Sequence, residues 1–294
     1  MTESRNVHRK FIEQLLSLKS GLLTPLIIGF LVITLVVQGY GVQSGSMENS
    51  IMTGDFVFVN KVVYGAATPR YLPFTEIKMP HFRLPALERP HRGDVICFDW
   101  PGNRDEVRPA VQENYVKRCE GLPGDTIRVI DRILFVDGKK VPYPPDVRFE
   151  PFPLFPAGYP QPGIFPGGSD FNQDNYGPIV VPKKGDIVRL TPADFHFWKI
   201  FIEREGHSIS TDGSSIYVDG MPAAQYTVEH NYYFMMGDNR ENSLDSRFWG
   251  FVPDDNLIGK VMIVYWSWDI HIPLYDLPGK IASIKWQRIG LLIK

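Results

Sequence analysis

The segment Ser44-Gly45-Ser46-Met47 is the first part of this 294-residue chain that could do covalent chemistry. A serine hydroxyl is a poor nucleophile until a neighbouring base removes its proton. The usual base is histidine, but none of the 7 histidines stands in a recognisable catalytic context. The chain also lacks a G-x-S-x-G elbow, an H-E-x-x-H helix and the S-x-x-K helix of penicillin-binding proteins. If a serine here is reactive, lysine is therefore the candidate base.

The composition indicates a β-rich protein without a nucleic-acid partner. A formal net charge of −2 gives no reason to expect nucleic-acid binding, which requires a strongly basic face. Aromatic residues at 13%, with 25 prolines and 26 glycines, favour many strands and turns over long helices. Cys97 and Cys119 are too few for a disulfide scaffold, so we expect two buried free thiols rather than one bridge.

An apolar segment near the N-terminus predicts a membrane anchor. No charged residue occurs between Lys19 and Glu48, and 22–37 is almost wholly apolar. About 17–20 such residues, at a rise of about 1.5 Å each, cross a hydrocarbon core of about 30 Å. A cleavable secretory signal or a buried core helix would be the alternative, but the run is long for a signal and has no polar face. The preceding basic residues predict a cytoplasmic N-terminus: Arg5, Arg9, Lys10 and Lys19.

Short apolar runs bounded by Gly, Asp and Pro predict the strands of the remaining chain. They lie at 56–59, 95–98, 133–136, 216–218 and 261–266. Two of them lead into Asp-Gly pairs, at 137–138 and 219–220, which is typical of tight hairpin turns. Long helical periodicity is absent outside the predicted anchor.

Two stretches rich in proline, 64–90 and 142–178, are predicted to be loops inserted into this β framework. The C-terminal segment 281–294 combines Trp286 with basic residues. Two interpretations of this segment stay open: an interfacial membrane segment and a docked terminal helix.

Five segments, in this order along the chain, resemble the sequence boxes of bacterial type I signal peptidases, the leader peptidases. They are the anchor, SGSM at 44–47, GDFVFVNK at 54–61, RGDVICF at 92–98 with YVKRCEGLPGD at 115–125, and MGDNRENSLDSRFWGFVP at 236–253. The resemblance implies a mostly β fold: an antiparallel β-sheet or barrel catalytic core with an inserted β-rich cap, preceded by one transmembrane helix. The expected parts are a cytoplasmic tail (1–20), the anchor (21–40), the core (41–142 and 231–270), the cap (143–230) and a membrane-proximal segment (271–294).

The resemblance also implies a Ser/Lys dyad, with Ser46 as nucleophile and Lys117 as general base. A free lysine titrates near about 10.4, and a base active near pH 7–8 needs roughly 3–4 kcal/mol of bias toward the neutral amine. The sequence around Lys117 suits such burial, because Val116 and Cys119 are apolar. In strand alternation Tyr115, Lys117 and Cys119 share one face.

Further roles follow from matching positions in the boxes. Ser44 matches a hydroxyl that helps the Ser46 backbone N–H to form the oxyanion hole. Ser243 matches a hydroxyl that orients the lysine amine, and Asp245 with Arg247 matches a supporting ion pair. A shallow apolar pocket that admits only small side chains is expected from five residues: Val42, Met47, Ile51, Tyr115 and Val116.

Taken together, these matches imply a serine endopeptidase that cleaves N-terminal signal peptides after small-x-small sites through an acyl-enzyme. Its expected partners are the signal peptides of secretory precursors and the lipid bilayer, with no cofactor, no metal and no nucleic acid. We expect a single-pass protein of the bacterial plasma (inner) membrane whose catalytic domain lies on the outer, periplasmic face.

The chain departs from the family pattern beside the nucleophile. Glu48-Asn49-Ser50 stands where a residue followed by Pro-Thr is usual, and Gln43 replaces a frequent proline, which puts the pocket shape and turn rigidity in question. Three other functions remain: a self-cleaving regulator with the same chemistry, an inactive membrane-bound binding protein of the same fold, and an unrelated anchored β-domain with structural serines. The anchor and the 236–253 string argue against the first, and the retained Ser46 and Lys117 against the second.

Overall fold

The computed structural model describes residues 35–67 and 82–294, together with the isolated positions 21, 24, 25 and 29. The predicted cytoplasmic tail, half of the predicted anchor and the middle of the first Pro-rich stretch lie outside these residues. Within the described part, none of the helices combines the length and apolar character that a bilayer crossing requires. The last predicted anchor positions, 37–40, lie in a β-strand, so that part of the anchor prediction is wrong.

A seven-stranded antiparallel sheet, called here the main sheet, contains Lys117, and Ser46 lies in the connection between two of its strands. Its spatial order is β1, β2, β16, β3, β4, β14 and β15. The corresponding ranges are Val37–Gly41, Asp55–Asn60, Leu257–Ser267, Val95–Asp99, Asn114–Gly121, Tyr232–Met236 and Val252–Pro253. Side chains of β2 alternate between buried and more exposed positions, as expected for a pleated strand. The prediction of a mostly β protein is confirmed.

Three smaller sheets lie in the chain between β4 and β14, in the region called here the cap (122–231). One contains β7 (Lys139–Lys140), β6 (Ile133–Val136), β5 (Thr126–Ile130) and β8 (Tyr176–Val180). The others pair β10 (Ile209–Thr211), β11 (Ile216–Val218) and β12 (Met221–Pro222), and β13 (Gln225–Thr227) with β9 (Ile187–Arg189). The chain therefore leaves the main sheet after Gly121, before the boundary at residue 143 that the sequence suggested.

Both predicted hairpins are present. Strands β6 and β7 pair across Asp137-Gly138, and β11 and β12 pair across Asp219-Gly220. All four turn residues have positive φ, between 50° and 77°. This backbone matches the right-handed twist of the flanking strands, and Asp-Gly adopts it at little steric cost.

Within residues 36–67 and 82–294 the helices are short: α1 (Phe195–Arg204), α2 (Ser246–Trp249) and α3 (Leu277–Ala282), with 3₁₀ turns at Pro192–Asp194, Asp254–Asn256 and Trp286–Arg288. The sequence did not predict α1. Ile202 is fully buried in one cap cluster, while Phe197 packs against the neighbouring cluster around β5. Packing against two apolar clusters holds α1 despite its aromatic residues, whose helix propensity is modest.

The two thiols are free and buried, as predicted. Cys97 packs with Val57 and Val261 in one apolar cluster, and Cys119 packs with Phe98 in another. Because the two side chains belong to different clusters, no disulfide joins these neighbouring strands.

The C-terminal segment docks on the main sheet. Ile293 N–H donates to the Met262 carbonyl at 2.9 Å, and Arg288 pairs with the buried Asp55 carboxylate at 2.6 Å. Of the two interpretations left open by the sequence, docking is therefore confirmed, although the docked chain is mostly not helical.

Candidate active site

The structure brings Ser46 and Lys117 into direct hydrogen-bond contact, although 71 positions separate them in the chain. Ser46 lies in the turn between β1 and β2, and Lys117 lies in the middle of β4. Both residues are buried, with exposed fractions of 9% and 3%. The amine nitrogen and the hydroxyl oxygen are thus placed for proton transfer between them.

Burial lowers the pKa of Lys117 from 10.5 to about 8, because desolvation penalises the ammonium form. The negative charge of Asp245 opposes this change, and the guanidinium of Arg247 adds to it. The Lys117 amine also lies 5.8 Å from the ring centroid of Tyr115, in agreement with the predicted shared strand face. A neutral amine is consequently accessible at mildly alkaline pH.

Ser44 lies beside Ser46, with 3.4 Å between the two hydroxyl oxygens. Among the described residues, the Ser46 backbone N–H has no acceptor. A free N–H and a nearby hydroxyl are two donors that could serve a developing oxyanion.

The loop after β14 supplies the predicted supporting residues. Asp245 and Arg247 form a buried ion pair at 2.8 Å, and Asp245 also caps α2 by accepting from the Arg247 backbone N–H. Burial alone would raise the pKa of Asp245, but the Arg247 charge holds it below its usual value. The Ser243 hydroxyl donates to the Asp245 carboxylate at 2.9 Å, so its predicted contact with the Lys117 amine remains a prediction.

Gly237 allows this loop to approach Ser46 closely. A Cβ at this position would lie 2.2 Å from the Ser243 hydroxyl and 2.6 Å from the Ser46 carbonyl oxygen. Both distances are far below van der Waals contact, so only glycine fits between the two serines.

Asn239 is a positioning residue to which the sequence gave no role. Its backbone N–H donates to the Ser46 carbonyl at 3.1 Å, and its side-chain amide donates to the Gly45 carbonyl at 3.0 Å. These two bonds restrain the backbone of Gly45 and Ser46. The residue lies within the string 236–253, but the string alone does not show which member makes this contact.

A second buried ion pair joins the strand of Lys117 to the loop after β14, and Ser50 connects the turn after Ser46 to this pair. Arg118 binds Asp238 through two hydrogen bonds, at 2.6 and 2.8 Å, and both side chains are at most 4% exposed. The Ser50 hydroxyl donates to the same carboxylate. A bidentate charged pair has restricted geometry, so it sets the separation of the two segments.

The turn after Ser46 has a conformation that proline cannot adopt at position 49. Asn49 has φ of 81°, whereas a proline ring holds φ near about −65°. Asparagine is among the few residues that tolerate this region, and the Ile51 N–H closes the turn on the Met47 carbonyl at 2.8 Å. The turn is therefore restrained although it has no proline.

A cleft of about 870 Å³ is lined by Ser46 and Lys117. All five residues predicted to bind substrate line it, namely Val42, Met47, Ile51, Tyr115 and Val116. Met47 and Ile51 are at most 2% exposed, and the cleft is also lined by cap residues, among them Gln161 and Gln173.

Within the described part of the chain, the group that could hold a metal ion is His230 with Asp254 and Asp255. The His230 ring nitrogen already pairs with Asp254 at 3.0 Å. None of these residues lines the cleft, so the group has no part in the chemistry of Ser46.

Comparison with known proteins gives a consistent result. The family described as "Signal peptidase, peptidase S26" matches residues 15–162 and 221–266, ranges that include Ser46, Lys117 and the 241–247 loop. Signal peptidase I of Pseudomonas fluorescens is 30% identical over 268 residues, covering 84% of this chain and 72% of that protein. Signal peptidase I of Buchnera aphidicola subsp. Schizaphis graminum is 32% identical, covering 85% and 74%, and that of Aquifex aeolicus is 29% identical, covering 79% and 77%.

Proposed function

The chain belongs to the signal peptidase family, peptidase S26, and is a serine endopeptidase; we propose that Ser46 and Lys117 are its catalytic dyad. The observation that carries the proposal is the contact between the Lys117 amine and the Ser46 hydroxyl. The amine is buried and its pKa is lowered to about 8, which is the condition for lysine to act as a base.

In the first step the neutral Lys117 amine takes the proton of the Ser46 hydroxyl while the oxygen attacks the scissile carbonyl carbon. The negative charge that develops on the carbonyl oxygen is stabilised by the Ser46 N–H and the Ser44 hydroxyl. Each such donor is worth about 2.7–4 kcal/mol in the transition state. When the C–N bond breaks, the Lys117 ammonium returns the proton to the leaving amine.

This step leaves the signal peptide as an ester on Ser46. Lys117, again neutral, then takes a proton from water as the water oxygen attacks the ester carbon. When the ester C–O bond breaks, the Lys117 ammonium returns this proton to the Ser46 oxygen, which restores the Ser46 hydroxyl and releases the signal peptide with a free C-terminal carboxyl group. The ion pair between Asp245 and Arg247 holds the loop beside the dyad and takes no proton. Ser243, whose hydroxyl donates to Asp245, has the proposed role of orienting the lysine amine.

The substrate in this proposal is the C-terminal part of a signal peptide with small residues at the −1 and −3 positions. Val42, Ile51 and Val116 line an apolar pocket beside the nucleophile. Because Ile51 is fully buried, the pocket does not extend beyond it and cannot hold a large substrate side chain. A pocket of this kind excludes larger substrate side chains by steric overlap. Between two side chains that both fit, it discriminates by only about 1–3 kcal/mol of transition-state binding for each methylene group.

The proposal places the protein in the bacterial plasma membrane, with one N-terminal span and the catalytic domain on the outer face. The support is the apolar run at 22–37 and the basic residues before it. Strand β1 starts at Val37, so Ser46 follows the proposed span closely. An anchor of this kind confines the dyad to the surface where translocated precursors emerge, and thereby raises the effective substrate concentration.

The test compares wild type, Ser46→Ala and Lys117→Ala, purified as full chains in detergent, on a precursor with an Ala-x-Ala site. We expect cleavage after the second alanine by wild type alone. Lys139→Ala, at an exposed position of β7, is the matched control and should cleave normally. Cleavage by either dyad variant would refute the assignment, and a wild type that cleaves only its own chain would favour the self-cleaving regulator.

A further inference from the structure

The cleft has two halves of different chemistry. One half is the apolar pocket formed by Val42, Ile51 and Val116. The other half comes from the cap and from the loop after β14, and its residues have no role in the dyad or in the apolar pocket. It is lined by Gln161, Gln173, Glu241, Asn242, Leu244 and Phe248.

This second half is attached to the catalytic loop by a continuous set of contacts. The Gln173 carbonyl accepts from the Arg247 guanidinium at 3.1 Å. The same guanidinium pairs with Asp245 at 2.8 Å, and that carboxylate accepts from the Ser243 hydroxyl at 2.9 Å. The position of Gln173 is therefore fixed relative to the residues beside Ser46.

A second attachment uses buried charges. Arg132, in the turn between β5 and β6, pairs with Asp174 at 3.0 Å and with Glu241 at 2.9 Å. The Glu150 backbone N–H donates to the Glu241 carboxylate at 2.8 Å. The three charged side chains of this cluster are at most 14% exposed. Because an unpaired buried charge is costly, such a cluster restrains the surrounding chain to one arrangement.

The two glutamines bind each other in the cleft wall. The Gln173 N–H donates to the Gln161 side-chain oxygen at 2.8 Å, and the Gln161 amide donates to the Gln173 side-chain oxygen at 3.3 Å. Among the described residues, the Gln173 side-chain amide nitrogen has no acceptor. Leu244, directly after Ser243, is 65% exposed. An amide donor beside an exposed apolar side chain suits an extended peptide with an uncharged residue.

We propose that this surface, the glutamine wall (Gln161, Gln173, Leu244 and Phe248), binds the first residues of the mature chain, on the leaving-group side of the cleaved bond. The inference rests on the signal peptidase activity proposed above. If the apolar pocket holds the acyl half of the substrate, the leaving amine must extend toward the remaining part of the cleft. There the Gln173 amide donates to a peptide carbonyl, and Leu244 contacts one of the first two mature side chains.

The test uses two substrates with the same acyl half ending in Ala-x-Ala. The long substrate continues with six mature residues, and the short substrate carries only a 4-nitroanilide leaving group. For Gln173→Ala and for Leu244→Ala we expect kcat/KM on the long substrate to fall by about three- to tenfold, the value of one hydrogen bond or one small apolar contact. The short substrate should be cleaved at the wild-type rate. Leu154→Ala is the control, because Leu154 is 48% exposed in the same Pro-rich stretch and does not line the cleft.

A second measurement replaces an uncharged first mature residue of the long substrate by aspartate. Wild type should have a lower kcat/KM on the aspartate substrate than on the uncharged one. The difference in kcat/KM between these two substrates should be smaller for Leu244→Ala than for wild type. Equal losses on the long and short substrates would show that the wall acts on the dyad or on the acyl half, which overturns the inference while the proposed function stands. Unchanged activity on the long substrate would overturn it as well. A wild type that cleaves neither substrate would instead refute the proposed function.

Discussion

Replacing Lys117 by methionine should abolish cleavage and make the protein more stable at neutral pH. The unfolded lysine titrates near 10.5 and the folded one near about 8. At about 1.36 kcal/mol per pKa unit, the protonated amine costs the folded state about 3 kcal/mol below pH 8. Methionine removes this cost and also loses one hydrogen bond to Ser46, worth about 1 kcal/mol. The expected net gain at pH 7 is about 2 kcal/mol.

The pH dependence of this gain in stability shows whether the protonated amine of Lys117 causes it. Because the folded pKa is the lower one, the unfolded wild type binds more protons between pH 8 and 10.5, and wild-type stability rises with pH across this window. The advantage of Lys117→Met should therefore shrink from pH 8 upward and be gone above pH 10.5.

The assay is denaturant unfolding of the full chains in detergent at pH 6, 7, 9 and 10.5, with Lys139→Met, at an exposed lysine, as the control. A stability difference that is constant with pH, or a variant less stable than wild type at pH 7, would refute the reasoning.

Three further predictions concern the surroundings of the dyad. Asn49→Pro should destabilise the protein by at least about 1 kcal/mol in thermal unfolding, since proline cannot reach φ of 81°, whereas Asn49→Gly should be tolerated. Equal stability of the two variants would contradict this prediction. Gly237→Ala should cost roughly 2 kcal/mol or more and most of kcat, because the new methyl overlaps the Ser243 hydroxyl; wild-type turnover would show that the approach is not tight. Asp245→Asn should cost about 3 kcal/mol by leaving a buried guanidinium unpaired. It should also move the acid limb of kcat/KM to lower pH, because it removes the negative charge that raises the pKa of Lys117; a limb moved to higher pH would refute this coupling.

Three strands of the main sheet, β2, β3 and β16, were predictable because each contains a local apolar run, whereas β1, β14 and β15 were not predicted. A run such as Phe56 to Val59 alternates between two faces, and Asp-Gly pairs give the hairpin turns by their backbone preference alone. The resemblance supplied Ser46 and Lys117, and the structure adds their contact and its electrostatic basis. Burial of Lys117 was expected because Val116 and Cys119, its neighbours in the strand, are apolar, and this is visible in the sequence alone.

Other features depend on tertiary contacts that leave no local pattern. Helix α1 is stabilised by two apolar clusters of the cap, and its aromatic residues do not favour a helix on their own. Asn239 reads as one more polar residue in a loop until it is seen bonding to the Ser46 and Gly45 carbonyls. The early start of the cap was missed because β5 pairs with β8, about 50 positions further along the chain.

The pH dependence of kcat/KM on a precursor with an Ala-x-Ala site tests the central claim most directly. If neutral Lys117 is the base, activity should rise with pH along an acid limb whose pKa is about 8, since only the unprotonated amine can accept the Ser46 proton. An acid limb near the pKa of free lysine, above about 10, would show that Lys117 is not desolvated in the working enzyme and would contradict the account.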